Sequence, residues 1–380
     1  MPNIADIVDA VDLLKIDPIA IDEERCVAVR NRNASCRRCL DACIADAITI
    51  KRNSIAVDPD LCMNCGACAA ACPMSALSMV EPASEQIDAA VLNRTGLPAG
   101  MCIIACSRQA SKGEGDPEKF AEAPCLAHLD ERMLVSYIAQ GRDDIVLVDG
   151  DCATCKLGAV DCAIDAAIDN AASMAEAAGG SAVITRMHEF PLEALLEEDE
   201  RYRGKSRRGL ARQTGSYMRK VAGNAVRRTL EDKLGMAETE ADKRRRRIAR
   251  NGRLPRFVPY ANYSIIDGMC LMAEEGDGGL DAVASNMFES RHFGEVMIDT
   301  DICNDCGMCV MFCPTDALKY SEYDDGMTQG RCIEFSASDC TQCRLCADVC
   351  LKHCIEVSPM TLLGDIVDPA PRSIHVRKPL

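Results

Sequence analysis

Tryptophan is absent from this chain of 380 residues, and aromatic residues make up only 4% of it. A core built on large rings is thereby excluded, and something else must tie the loops together. Histidine is scarce too, with 5 residues, and His128, His188 and His292 each stand isolated in sequence, so no catalytic constellation stands out. No glycine-rich dinucleotide fingerprint follows a strand. Gly276, Gly278 and Gly279 come after the acidic pair Glu274-Glu275 and read as a surface turn, so neither NAD nor FAD is expected. Long apolar runs are missing as well. Met1 to Ile16 carry Asp6, Asp9 and Asp12 through their apolar stretch, which argues against a signal peptide, a twin-arginine leader or a membrane span and for a cytoplasmic protein.

Cysteine is what the chain has in excess, with 25 residues, and sixteen of them fall into four near-repeats of one spacing. Two copies are complete: Cys62, Cys65, Cys68 and Cys72 followed by Pro73, and Cys303, Cys306, Cys309 and Cys313 followed by Pro314. Cys340, Cys343, Cys346 and Cys350 lack only the proline, and Cys26, Cys36, Cys39 and Cys43 have the first step stretched. Three cysteines at two-residue gaps share a tight loop, so three sulfurs can converge on adjacent corners of one cube. The proline after the fourth cysteine stops the short helical turn there. Structural zinc sites take two pairs, or a pair with histidines, rather than evenly stepped triplets. Disulfides would need an oxidising compartment, to which nothing here points. Single cysteines such as Cys270 or Cys332 suit an inert buried role.

These runs resemble those of bacterial two-cluster ferredoxins, in which the fourth cysteine serves the [4Fe–4S] cluster of the paired run. The resemblance implies Cys26, Cys36, Cys39 and Cys72 for one cluster and Cys62, Cys65, Cys68 and Cys43 for a second. It likewise implies Cys303, Cys306, Cys309 and Cys350 for a third and Cys340, Cys343, Cys346 and Cys313 for a fourth.

The segment order predicts an α+β protein: two ferredoxin-like modules, residues 1–80 and 296–380, flank a small parallel α/β domain, 81–200, with a basic helical connector and an unassigned stretch in 201–295. Asn3 is expected to cap a short amphipathic helix through Ile4, Ile7, Val8, Val11 and Leu14. Ala47–Ile50 and Ile55–Val57 read as a hairpin between the first two motifs, and 317–321 and 332–335 repeat it between the last two. In the middle domain, helices are expected from a Ser84 cap to Leu92, from Asp130 to Gly141 and from Leu157 to Ala178, with strands at 101–105, 145–148 and 182–185. Strands alternating with helices argue for a parallel sheet.

Cys106 follows the first of those strands, Cys125 follows a weaker extended run at 120–124, and Cys152 and Cys155 follow the strand ending at Val148. Ligands gather outside the carboxyl ends of parallel strands, so three connections would deliver thiols to one edge. A fifth metal centre on Cys106, Cys125, Cys152 and Cys155 is expected, with Cys102 and Cys162 in reserve; free, buried thiols are the bland alternative. The segments Cys102-Ile-Ile-Ala-Cys106, Pro124-Cys125-Leu-Ala-His128-Leu-Asp130 and Asp149-Gly-Asp-Cys152-Ala-Thr-Cys155 resemble the iron–sulfur delta subunit of methyl-viologen-reducing hydrogenases. That resemblance implies a [2Fe–2S] cluster and electron passage between a hydrogenase or formate dehydrogenase and a flavoprotein. The whole arrangement, with the modified first motif Arg30 to Cys43, is similar to multi-cluster ferredoxins that accompany molybdenum or tungsten oxidoreductases.

The net charge of -16 is unevenly spread: residues 201–256 hold 19 Lys and Arg against 5 Asp and Glu, leaving the remainder strongly acidic. Leu210, Tyr217, Val221, Ala225, Leu230 and Leu234 recur near helical steps there, and Lys243 to Arg247 is a run of five positive charges. The segment reads as a solvated connector or a docking surface for an acidic redox partner; no nucleic-acid reading module accompanies it. The functional expectation is a non-enzymatic electron-transfer component, with four [4Fe–4S] clusters and a further [2Fe–2S] or other iron–sulfur centre. It would relay low-potential electrons between a redox enzyme (hydrogenase, formate dehydrogenase or another molybdopterin oxidoreductase) and a second carrier. A redox-sensing or maturation factor and a thiol–disulfide enzyme are the alternatives.

Overall fold

The computed structural model describes residues 18–80, 82–196, 256–276, 278–324, 329–368 and 370–377. The helix expected over Ile4–Leu14 and the apolar face and charge run expected within 201–255 lie outside the described residues. The fold is α+β and includes one parallel sheet. Among the described residues, no helix is long and apolar enough to cross a membrane.

The N-terminal unit is two small antiparallel pairs. Strand β1 (Ile19–Ile21) pairs with β4 (Leu77–Met79), and β2 (Ile48–Lys51) forms a hairpin with β3 (Ser54–Val57). Period-2 alternation turns Ile48 and Ile55 inward, where they pack with Ile19, Leu77, Met79, Cys39 and Cys68. With so few large side chains, thiols make up part of the core itself.

The middle unit is a sheet of order β6-β5-β7-β8, all parallel: β5 (Met101–Cys106), β6 (Ala121–Ala123), β7 (Asp144–Val148) and β8 (Val183–Met187). β5 and β7 are buried almost along their whole length, as central parallel strands are. Asp130 caps the helix Glu131–Ala139 by accepting from the Met133 amide, and Gly141, at φ 76°, lies just beyond its end. Two expected helix starts differ. Ser84 is the first residue of the helix Ser84–Leu92 rather than its cap, and its hydroxyl meets His128 Nε2 at 3.1 Å. The third helix begins at Asp161, because Gly158, whose Cβ position lies 2.5 Å from the Cys152 carbonyl oxygen, belongs to a separate 3-10 turn.

The segment without a sequence assignment is folded. Pro259 stands at the N-cap position of a 16-residue helix, Tyr260–Glu275, which packs on Glu131–Ala139; Gly268 allows the approach, with Val135 Cγ1 3.0 Å from its Cβ position. Buried Asn262 on this helix donates to the Cys340 carbonyl at 2.9 Å, tying it to the C-terminal unit. That unit repeats the plan of the first. After β9 (Met287–Glu289), β10 (Glu295–Ile298) pairs with β13 (Ile355–Ser358), and β11 (Leu318–Asp324) pairs with β12 (Gln329–Phe335). Two additions extend it: β14 (Met360–Leu362) pairs with β9, and β15 (Arg372–Arg377) adds to β12.

Backbone conformation shows the four-fold repetition most directly. Asp46, Ser75, Asp316 and His353 each have φ between 48° and 59°, and each stands three residues after the last cysteine of its motif. Asn64 and Gly66, Asp305 and Gly307, and Gln342 and Arg344 are left-handed at matching places inside the three regular loops. Non-glycine residues rarely adopt this region, so one unusual backbone path is repeated wherever the cysteine spacing recurs.

Candidate metal centres

The sixteen motif cysteines sort into four groups of four. Cys26, Cys36, Cys39 and Cys72 line one cavity with Val27, Ile50 and Ile55. Cys43, Cys62, Cys65 and Cys68 line another with Ile19, Ile44 and Val57. In the C-terminal unit, the Cys309 thiol feels Cys303, Cys306 and Cys350, and the Cys346 thiol feels Cys343, Cys340 and Cys313. In each group one sulfur comes from the partner motif, because the turn after the third cysteine carries the fourth away from its own loop.

Burial is the largest influence on most of these thiols and pushes them up: Cys68 and Cys309 to about 12, Cys343 to about 11. On Cys72 a backbone N–H works the other way, that of Ala76 donating to the sulfur at 3.2 Å; the Asp305 amide donates to the Cys303 sulfur at 3.4 Å. The chemistry of the donor set fits a metal–sulfur group: four convergent thiols, apolar walls, and amides aimed at sulfur.

Sequence spacing did not single out Cys354. Its sulfur lies 3.4 Å from that of Cys350, beside Cys303, so five thiols crowd the third group. Its place four residues after Cys350, one turn beyond the motif, was the available signal. Around this group Cys306, Ile302, Met311 and Leu351 are exposed.

In the middle unit, Cys106, Cys125, Cys152 and Cys155 line one cavity of about 450 Å³ with Met63, Arg108, Leu126, Leu157, Val160 and Ile164. As neutral thiols, Cys106 and Cys152 both face the Asp149 carbonyl, at 3.6 and 4.0 Å. Burial drives Cys125 to about 12 and Cys152 to about 11. Asp149, Cys152 and Asp161 also converge, but the Arg186 guanidinium already bridges the Asp149 and Asp161 carboxylates and reaches Cys152 Sγ at 3.9 Å. Arg186 is held charged by these acids against the cost of its own burial. Cys102 lies at the start of β5, near Arg142 and Asp144, and Cys162 is exposed on the helix Asp161–Ala177; neither lines the cavity.

Three of the histidines have structural partners. His128 is buried against Gly66, and burial lowers its basicity. His292 and Arg291 hold the fully buried Glu131 carboxylate, at 3.1 and 2.5 Å. His188 bonds to the Gly150 carbonyl. Cys332 is buried and donates to the Ser321 carbonyl at 3.6 Å.

The spacing, convergence and walls of these thiols are those of ferredoxin-type iron–sulfur segments. The chain matches the 4Fe-4S binding domain over residues 55–78 and 296–319, one segment in each terminal unit. It is similar to the putative oxidoreductase UacF of Escherichia coli, 33% identical over 72 residues, which is 19% of this chain and 11% of that protein. A ferredoxin 7Fe of Hydrogenibacillus schlegelii is 35% identical over 54 residues, 14% of this chain and 63% of its own. The pyruvate-flavodoxin oxidoreductase of Trichormus variabilis is 24% identical over 176 residues, 35% of this chain and 15% of that enzyme. The chain thus spans less than two thirds of each relative. No solved structure matches it.

Proposed function

We propose that the chain relays low-potential electrons between a catalytic redox subunit and a second carrier, through four [4Fe–4S] clusters and a fifth iron–sulfur centre. The observation that carries this reading is the sorting of sixteen thiols into four sets of four, each completed by a sulfur from the paired motif. The proposed ligands are Cys26, Cys36, Cys39 and Cys72; Cys62, Cys65, Cys68 and Cys43; Cys303, Cys306, Cys309 and Cys350; and Cys340, Cys343, Cys346 and Cys313. Cys106, Cys125, Cys152 and Cys155 would hold the fifth. Bound clusters supply one-electron chemistry, at potentials set by their ligands, N–H···S bonds and exposure.

The chain's own residues do the rest. Ile50, Ile55 and Leu77 keep water from the first set, and the amides of Ala76 and Asp305 offset negative charge on sulfur. Arg186 supplies a fixed positive charge beside Cys152. The resemblance of the middle domain to the hydrogenase delta subunit supports a hydrogenase, a formate dehydrogenase or another molybdopterin oxidoreductase as the catalytic partner. The ferredoxin and oxidoreductase relatives support the same class of reaction.

Anaerobic purification from a native host, with iron and sulfide counted on the sample that identifies co-purifying proteins, tests the proposal. About eighteen iron atoms fit four cubanes and a two-iron centre, and about sixteen fit the cubanes alone. Fewer than about eight overturns the assignment of both terminal units.

A further inference from the structure

The thiol sets touch one another through particular residues. Met63 lines both the middle cavity and the cradle of Cys43, Cys62, Cys65 and Cys68, and Cys65 lies within electrostatic reach of Cys125. Inside the N-terminal unit, Cys39 and Cys68 share one small core. Between the two ferredoxin units, Val27, Met74, Ala76, Leu345 and Val349 form a joint core against which Cys36 and Cys343 both pack. In the C-terminal unit, Cys346 feels Cys309.

The junction of the two ferredoxin units has a half-buried cation in it. Arg38 stands between Cys36 and Cys39 in sequence, yet its guanidinium points out of its own unit. It donates to the Arg291 carbonyl at 2.7 Å and to the Gln342 side-chain oxygen at 2.5 Å. Gln342 in turn precedes Cys343, and both Cys36 and Cys343 act on the Arg38 charge. At the exposed rim of the same junction, Asp348 accepts from the Ser35 amide at 2.7 Å and from its hydroxyl at 3.0 Å. One cation and one carboxylate thus bridge the same two cysteine loops.

We propose that the five sites stand in single file, from the middle cavity through the second, first and fourth sets to the third, and that Arg38 at the central joint raises the reduction potential of the first and fourth sets together. The inference rests on the ligand assignment proposed above. Adding an electron to either set adds negative charge beside the guanidinium, so Arg38 favours the reduced state of both. The remaining sets lie one joint further away and feel it less.

The test is a potentiometric titration of the anaerobic full-length protein, followed by paramagnetic resonance, with Arg38→Gln and Arg38→Lys. Arg38→Gln is expected to make two of the four cubane signals about tenfold harder to reduce, 59 mV for a one-electron couple, and to leave the other two nearly unmoved. Arg38→Lys keeps the charge and should keep most of the potential. Because Arg38→Gln removes contacts across the interface, Asp348→Asn serves as the second variant: it should shift the same two signals the opposite way and by less, since the Ser35 amide and hydroxyl already offset the Asp348 carboxylate. Full iron content with no shift in either variant, or an equal shift of all four signals, overturns the inference while leaving the proposed function standing. An iron count below about eight in the unaltered protein would instead remove the assignment on which both depend.

Discussion

Gly66 lies against His128 so closely that a Cβ on the glycine would come within 2.4 Å of the imidazole Nδ1. The glycine is also left-handed, at φ 81°, between Cys65 and Cys68. This is the point where the second thiol set abuts the middle domain. The Gly66→Ala variant is expected to strain the backbone and displace His128 from Ser84. We expect a loss of about 2–3 kcal/mol, the combined scale of a left-handed penalty and an overpacked contact. Thermal unfolding of the anaerobic protein would measure it; an unchanged midpoint would show that the two units part at no cost.

Glu131 ties the middle domain to the segment before the C-terminal unit. Burial alone would raise its carboxyl, but the His292 and Arg291 contacts outweigh that and hold it at about 2, against an ordinary 4.5. A depressed carboxyl stabilises the fold above its unfolded value and loses that contribution as pH falls through the folded one. Glu131→Gln should therefore cost about 3 kcal/mol near neutral pH, the low end for a broken buried pair because Arg291 keeps partial access to water. The gap to the unaltered protein should hold down to about pH 4.5 and narrow below it, as read from denaturant midpoints at several pH values. A gap that widens on acidification would contradict the assignment.

Cys125 has the deepest sulfur of the middle cavity, and it faces Cys65 as well as Cys106 and Cys152. Cys125→Ala is expected to remove about two iron atoms of about eighteen while leaving the four cubane signals in place. Iron analysis with resonance spectroscopy would read both quantities on one sample. Retention of all the iron would shift the fifth centre to other residues.

Much of this was legible from residue order because the cysteine spacing encodes a local backbone path. The hairpin Ile48–Val57 and the strands around Cys106 and Val148 follow from alternation and apolar runs, signals that need no distant contact. The helix Tyr260–Glu275 was not foreseen, because its weak amphipathicity hides that it is wedged between two units. Arg38, Met63 and Cys354 escaped for a different reason. Each matters through a neighbour far along the chain or just outside a motif, and spacing is silent on such meetings.

The crossing of the fourth cysteine has a consequence for biosynthesis. Cys62, Cys65 and Cys68 meet Cys43, and Cys340, Cys343 and Cys346 meet Cys313, after that partner has left the ribosome, whereas Cys26, Cys36 and Cys39 must wait for Cys72, and Cys303, Cys306 and Cys309 for Cys350. Each ferredoxin-like unit would therefore pass through a stage with three thiols of its first cradle presented and the fourth still unmade. Iron delivery to those two cradles would have to follow chain elongation rather than accompany it.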